Sequence, residues 1–510
     1  MFYFVNQTVP KRLTGIESAQ LKRIRMFKHH GVAAQLVTVA YDPTFAHNVV
    51  TYKLQPQDVN NMYDYLCAIR PQTPKSITIE QLKLPKLVHK KAAGHEIRYF
   101  NEQQQLLVKV ILRADATVQQ VNYYGKNKQA VRAEVYDVRG FKSSLILYDQ
   151  NLHMVQRQFF DAAGQVRLVF FYRGGQQSQQ VVRAIQYYQS NGRWRHFMNE
   201  SELMRYFFDQ LNQTTIDNIF IADRTARVGW ALAQMQTKAF KLFHIHSVHV
   251  NRSDQPQSND FNSNYRFAFK NLNLWNGMVA STRAQVADLR QKFPQTAVYR
   301  ASVSIISKQV LQAPSVKLAQ RTPFKLIAVA RLNPEKRLDQ VVRIFALIHA
   351  QLPQATLDIW GFIVDKKMTT ALTKLITALD LTDAVTLRGY ATDMTPIYDQ
   401  AQGLLITSRY EGTALVIAEA LAHGVPVLAY DFHYGPREFI NSGENGYIVP
   451  VDDQSAAAKC ALELLTDAAK WQTMSQAAYR LSARSSEDAI FKPWQTIAGA
   501  AQAYYHGGNA

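Results

Sequence analysis

The chain has 510 residues, too many for one hydrophobic core, and its 47% hydrophobic and 11% aromatic content leaves little room for a long disordered region. Lys and Arg number 58 against 39 Asp and Glu, a net charge of +19 that attracts anionic partners, although no Lys/Arg block or nucleic-acid motif concentrates it. No signal-peptide core and no run near the roughly 20 apolar residues of a membrane span occurs, and Cys67 and Cys460 have no neighbouring thiol or metal-ligand spacing; a cytoplasmic protein without disulfides or a zinc site is expected.

The opening reads strand (Phe2–Val5), polar turn (Asn6–Gly15), helix (Ile16–His30, stopped by Gly31) and buried strand (Ala34–Ala40), the start of a parallel α/β sheet. Near residue 80 the pattern breaks. Alternating runs follow at Leu106–Leu112, Val118–Tyr124, Ala130–Val138, Ser143–Tyr148, Val155–Phe160, Val166–Tyr172 and Val181–Tyr188, with Gly- and Asn-containing turns between them. They predict an antiparallel β-meander, 80–205, inserted into an N-terminal domain made of 1–79 and 206–318. Two of its segments, YYGKNKQAVRAEVYD and FFDAAGQVRLVFFY, resemble each other weakly, as duplicated hairpins would. Its apolar faces and sheet edges need covering, which makes it an oligomerisation or acceptor-docking element, with a homo-oligomer expected.

From Asp217 the α/β rhythm resumes: strand Asn218–Ala222, helix Arg224–Met235, strand Phe240–His246, helix Phe261–Leu272, strand Gly277–Ala280 and helix Arg283–Phe293. A linker, Lys308–Pro323, leads into a second α/β domain, 319–485, with strands at Phe324–Ala330, Leu357–Trp360, Val385–Leu387, Gly403–Ile406 and Val425–Ala429. Residues 486–510 read as a C-terminal helix returning to the N-terminal domain. The expected class is α/β: two Rossmann-like domains facing a cleft, with a β-meander insertion in the first. Nucleotides bind in such clefts.

Three segments carry chemistry. In SRYEGTALVIAEALAHGVPVLAYD (408–431), Glu411 precedes a helix and Glu419 lies within it, so both carboxylates can face one cleft. Gly412 lets backbone approach a ligand, and amides at Thr413 and Ala414 open the helix toward an anion. By spacing alone, Glu411 could equally satisfy a helix terminus while Glu419 is solvated. In IAVARLNPEKRLD (327–339), Arg331 and Lys336 sit on the loop leaving the first strand of the second domain, where a departing nucleoside diphosphate needs fixed cations. No Asp-x-Asp metal clamp exists, so no metal cofactor is expected. Ordinary surface charge is the competing reading for the pair. In HIHSVH (244–249), His246 and His249 fall beyond a strand end; a core role or a metal held with His244 competes with a binding role.

Together, RLNPEKRLD, EGTALVIAEALAHGVPVLAYD and ENGYIVP resemble the retaining family-4 glycosyltransferases of GT-B fold. The resemblance implies that Arg331 and Lys336 bind the diphosphate, that Glu411 meets the transferred sugar and Glu419 the ribose, and that His249, or else His246, contacts the donor sugar. Gly15 would be the nucleotide-facing turn of the first domain, a single glycine where many members have two. TGIESAQLKRIRMFKHHGV, the insertion, DRTARVGWAL and HSVH narrow the likeness to poly(glycerol-phosphate) α-glucosyltransferases of wall teichoic acid and the related serine-rich adhesin glycosyltransferases. The implied donor is a UDP-sugar co-substrate, glucose or N-acetylglucosamine. The implied acceptor is a teichoic acid, with contact at the inner membrane surface compatible with the charge. The alternatives are a Ser/Thr-rich protein acceptor, served together with a non-catalytic partner, or a non-catalytic substrate-binding homologue.

Overall fold

The computed structural model describes every residue except 71–72, 83, 85–88, 174–180, 364–365 and 508–510, and the side chain of Lys366. Parts of the expected insertion and the end of the expected C-terminal helix therefore lie outside the described residues. The chain falls into two compact units, 1–24 with 31–241, and 25–30 with 242–510.

In the first unit, β1 (Phe2–Asn6), β2 (Ala34–Thr38) and β3 (Val59–Asn61) begin a parallel sheet. Ten antiparallel strands follow: β4 (His89–Ala93), β5 (Glu96–Phe100), β6 (Leu106–Leu112), β7 (Val118–Tyr124), β8 (Ala130–Tyr136), β9 (Lys142–Tyr148), β10 (Met154–Phe160), β11 (Val166–Arg173), β12 (Val181–Tyr188) and β13 (Trp194–Phe197). They pair in sequence order, a pure meander. The chain then returns through β14 (Ile219–Ala222) to the parallel sheet, whose order here is β14-β1-β2-β3. β1 is buried at every position, which is why FYFVN is apolar without alternating.

Seven of the meander strands match the alternating runs; β4, β5 and β13 lie outside them. β4 reads HKKAA with all positions exposed, so it carries no apolar face for a sequence pattern to reveal. The meander is also less bare than expected. Tyr41 and Tyr63 pack on Phe159 at 5.0 and 4.8 Å between ring centroids, and Arg139 donates to Asp64 (2.8 and 2.9 Å) and Asp137 (2.8 Å). By register Val110 lies on the opposite face from Phe159, and there Val108, Val110, Val118 and Val121 pack with Ile77, Ile79, Leu82 and Leu84. Both faces thus find cover within their own unit.

The division between the units falls within β15 (Phe240–Ile245). The second unit continues with β16 (Gly277–Ala280) and β17 (Val298–Arg300), parallel to it. A six-stranded parallel sheet follows: β18 (Lys325–Val329), β19 (Thr356–Trp360), β20 (Val385–Gly389), β21 (Gly403–Ile406), β22 (Val427–Tyr430) and β23 (Gly446–Val449), in the order β20-β19-β18-β21-β22-β23. Two expectations need correction. The helix Phe261–Leu272 is only Arg266–Lys270 with one further turn, because the Asn262 side chain accepts from the Asn264 amide at 3.0 Å and holds a turn there instead. The linker Lys308–Pro323 is partly ordered: Lys308–Leu311 is helical, and buried Arg321 donates to the carbonyls of Tyr398 (2.9 Å), Ala401 (2.8 Å) and His423 (2.6 Å). The C-terminal helix, Glu487–His506, sets Phe491 and Trp494 against Phe27 at 5.3 and 5.6 Å. No described helix is long and apolar enough to cross a membrane.

At the carboxyl ends of β1 and β14 a buried polar network ties the loop before helix Gly15–His29 to the sheet. Asn6 donates to Gln20 (2.6 Å), Gln20 donates to Asp223 (2.6 Å), and Arg224 donates to Glu17 (2.6 Å), which also accepts from the Thr14 amide at 3.1 Å. Burial penalises the charge on Glu17, but Arg224, Thr14 and Asn6 outweigh it and hold the carboxyl below its usual range. A depressed folded value means this network stabilises the fold fully above the unfolded pKa of about 4.3 and loses that contribution as pH falls through the folded value. Glu17→Gln is accordingly expected to cost about 1–3 kcal/mol at pH 7. In thermal unfolding the wild-type advantage should shrink below about pH 4; a gap constant from pH 7 to 3 would contradict it.

Candidate active site

The loops leaving β18 and β21 at their carboxyl ends bring Lys336 and Glu411 together as an ion pair that the sequence did not announce. Lys336 Nζ lies 2.5 Å from Glu411 Oε1, and the same oxygen accepts from Ser408 Oγ at 2.8 Å. The pair is largely enclosed, with side-chain exposures of 13% and 17%. Arg331 is more open, at 42%, and is steadied by Glu335 at 3.4 Å, which also accepts from Asn333 Nδ2 at 2.9 Å. The loops are stitched together by Arg409 N–H to the Glu335 carbonyl (2.8 Å) and by Thr407 Oγ1 to the Arg337 carbonyl (2.9 Å). Two cations are thus held at strand ends, each against an acid of its own.

Gly412 is required where it stands. A Cβ there would lie 2.2 Å from the His246 carbonyl oxygen and 2.8 Å from the Ser247 nitrogen, so only glycine lets these loops meet. The structure corrects the expectation for the next two residues. Thr413 and Ala414 are buried rather than exposed, Ala414 adopts left-handed backbone at φ +58°, and the helix begins only at Leu415. The eight-residue spacing from Glu411 to Glu419 is therefore part loop and part helix. The Thr413 hydroxyl has no hydrogen-bond partner among the described residues. Glu419, in the helix, accepts from Tyr398 Oη at 3.2 Å. Burial, and then Glu419, push the Tyr398 phenol well above its ordinary value, so it remains a donor.

His246 and His249 both follow the end of β15, but their settings differ. The His246 amide donates to Tyr265 Oη at 2.8 Å, and its ring stacks on His244 at 4.1 Å. His249, expected at an open edge, is fully buried beside Phe269 and Tyr434, whose ring centroids lie 6.2 and 6.3 Å from its own. Its Nε2 faces the Pro256 carbonyl at 2.8 Å, which only a protonated Nε2 satisfies, leaving Nδ1 as a buried acceptor without a partner among the described residues. Gly15 belongs to the first unit, where it is the exposed first residue of its helix.

Sequence reasoning placed Trp360-Gly361-Phe362 near the donor base but missed Ser408, Glu335 and the aromatic partner of Phe362. Phe362 and Tyr390 follow β19 and β20 with ring centroids 6.1 Å apart, and Tyr390 is 39% exposed. The available signal was position, an aromatic directly after a parallel strand. Gly361, just before Phe362, has φ +153°, and a Cβ there would overlap the Ala330 carbonyl.

Residues 312–481, which contain Arg331, Lys336, Glu411 and Glu419, match the family model described as glycosyl transferases group 1. The chain carries a glycosyltransferase group 1 domain. Residues 10–217, including Gly15, match a second model, that of an accessory Sec system protein. The UDP-N-acetylglucosamine–peptide N-acetylglucosaminyltransferase GtfA subunit of Streptococcus gordonii is 26% identical, the alignment covering 97% of each chain. The poly(glycerol-phosphate) alpha-glucosyltransferase of Bacillus subtilis is 23% identical over 97% of this chain and 74% of its own. A crystal structure of the pneumococcal O-GlcNAc transferase GtfA with UDP and GlcNAc superimposes with a TM-score of 0.84 over 98% of both chains, at 21% identity. The fold of the glycosyltransferase domain is accordingly that of the GT-B enzymes.

Burial pushes the His249 imidazole below its usual pKa, so it is neutral from pH 8 down to 7. Histidine-labelled NMR should show one Nε2-protonated tautomer across that range; a titration centred near 6.5 would contradict the buried placement.

Proposed function

We propose that this chain transfers a hexose, glucose or N-acetylglucosamine, from a UDP-sugar with retention of anomeric configuration. The observation that carries the reading is the Lys336–Glu411–Ser408 cluster with Arg331 beside it, at the carboxyl ends of parallel strands inside the group 1 region. The diphosphate would draw Lys336 and Arg331 from their acid partners, and their charge would offset the negative charge that grows on the leaving group. Glu411, released toward the sugar, would meet its hydroxyls. Glu419 would take the ribose, and the edge formed by Phe362 and Tyr390 would face the base. His249 Nδ1 offers an acceptor for a donor-sugar hydroxyl. Gly412, Thr413 and Ala414 would contribute backbone to the donor, and His246 a second contact to the sugar.

No carboxylate stands out as a double-displacement nucleophile, so attack from the same face, with the leaving phosphate taking the acceptor proton, is the favoured course. The two cations do the work that an Asp-x-Asp-bound metal does elsewhere. Chelation with EDTA is therefore expected to leave turnover unchanged, whereas abolition with rescue by Mn²⁺ would show that the diphosphate site has been misread.

For the acceptor, a charge of +19 favours an anionic polymer, poly(glycerol phosphate) of wall teichoic acid, met at the inner membrane surface. A second reading has its own support: the whole-length likeness to a peptide-modifying GtfA subunit favours a Ser/Thr-rich protein acceptor with a partner subunit. A homo-oligomer joined through the meander, whose terminal strands are β4 and β13, would let a long acceptor engage several sites at once. The test is a panel of UDP-sugars against purified poly(glycerol phosphate) and a serine-rich peptide, read by mass. Hexose gain on the polymer alone supports the first reading, and gain on the peptide alone replaces it with the second. Absence of UDP release from any donor would refute the enzyme.

A further inference from the structure

Glu411 is fixed less by its own side chain than by the segment beside it. Its N–H donates to the His433 carbonyl at 2.9 Å, and its carbonyl accepts from the Tyr434 N–H at 2.8 Å. At Gly435 a Cβ would meet the Thr413 carbonyl at 2.8 Å, so the segment lies directly against the 411–414 loop. This segment is in turn gripped by helix Arg283–Lys292, 146 residues away in sequence at its main contact. Tyr434, buried, donates its hydroxyl to Asp288 at 2.6 Å. Glu438 accepts from the Arg283 amide at the helix start (2.9 Å) and from Arg300 (3.3 Å), a carboxylate at the positive end of the helix. The same helix holds the opposite side of the loop: Gln285 Nε2 donates to the Ser247 carbonyl at 2.8 Å, and the His246–Ser247 peptide abuts Gly412.

A closed circuit results. One helix clasps Ser247 through Gln285 and Tyr434 through Asp288, and these two press on Gly412 and Glu411 from either side. We infer that Asp288 and Tyr434 are positioning residues, which set the backbone of Glu411 and Gly412 from helix Arg283–Lys292. Neither needs to touch a ligand. Their hydrogen bond transmits the place of that helix to the carboxylate that holds Lys336, and a loop misplaced by about 1 Å can cost 10²-fold in rate. Burial and Asp288 both keep the Tyr434 phenol protonated, and so a donor, throughout the working range.

This inference rests on the glycosyl-transfer reading, and its test has one readout that does not. With UDP-glucose and UDP-N-acetylglucosamine as probes, Tyr434→Phe and Asp288→Ala should each lower kcat about tenfold while KM changes less than about twofold. The double variant should be no worse than either single one, since both remove the same bond. Asp288→Asn, which can still accept it, should recover most of the rate. In parallel, amide hydrogen exchange at Glu411 and Tyr434 should quicken about tenfold in Asp288→Ala and not in Asp288→Asn. Wild-type kcat in both single variants, losses that multiply in the double, or equal exchange in the two Asp288 variants would overturn the inference. A wild-type chain that releases no UDP, yet shows the exchange difference, would refute the transferase reading and leave the strut standing.

Discussion

A lysine can wait in an enclosed site for an anionic ligand only if something neutralises it meanwhile. Lys336 waits on Glu411, and Ser408 donates to the oxygen of Glu411 that meets Lys336. Burying both charges is tolerable because each is the other's partner; removing one would strand the other. The pair therefore constrains everything around it. The loops after β18 and β21 must run side by side, which Thr407 secures with its hydroxyl and Arg409 with its backbone amide, and position 412 must have no side chain.

The same constraint links structure to chemistry. On the proposed reading, a diphosphate that displaced Glu411 from Lys336 would exchange one ion pair for another, so the cation would meet its ligand already desolvated and aimed. Glu411, once displaced, becomes an acceptor for whatever sugar hangs from that diphosphate. Donor binding and sugar placement would then be one event, and the stiffness of the Glu411 backbone decides how well that event aligns the reacting atoms. On the inference above, helix Arg283–Lys292 would set that stiffness through Asp288 and Gln285.

Much of this was legible in the sequence. Parallel strands buried on both faces announce themselves as apolar runs, and β1, β16 and β21 fall where those runs do. The alternating meander strands were equally readable. What escaped were elements whose pattern carries no burial signal, such as exposed β4, and those decided by a local competition, such as the turn at Asn262 that shortens a helix. At the site, Arg331 and Lys336 could be named from their loop after a strand, and Glu411 and Glu419 from their spacing about a helix start, but their roles only from the family resemblance. Burial could not be read: His249 lies fully inside, and Thr413 and Ala414 precede the helix instead of opening it. Nor could contacts between distant segments be read, so Tyr434 and Asp288 looked like ordinary residues.

The most direct measurement of the central claim is calorimetric titration of UDP into the wild-type chain, Lys336→Met and Glu411→Gln. If Lys336 is the diphosphate's cation and Glu411 its placeholder, Lys336→Met should weaken UDP binding by tenfold or more, about 1.4 kcal/mol at least. Glu411→Gln, which frees Lys336 from its competitor, should bind UDP at least as tightly as the wild type. Unchanged affinity in Lys336→Met, or UDP binding lost with Glu411→Gln in a folded protein, would contradict the account.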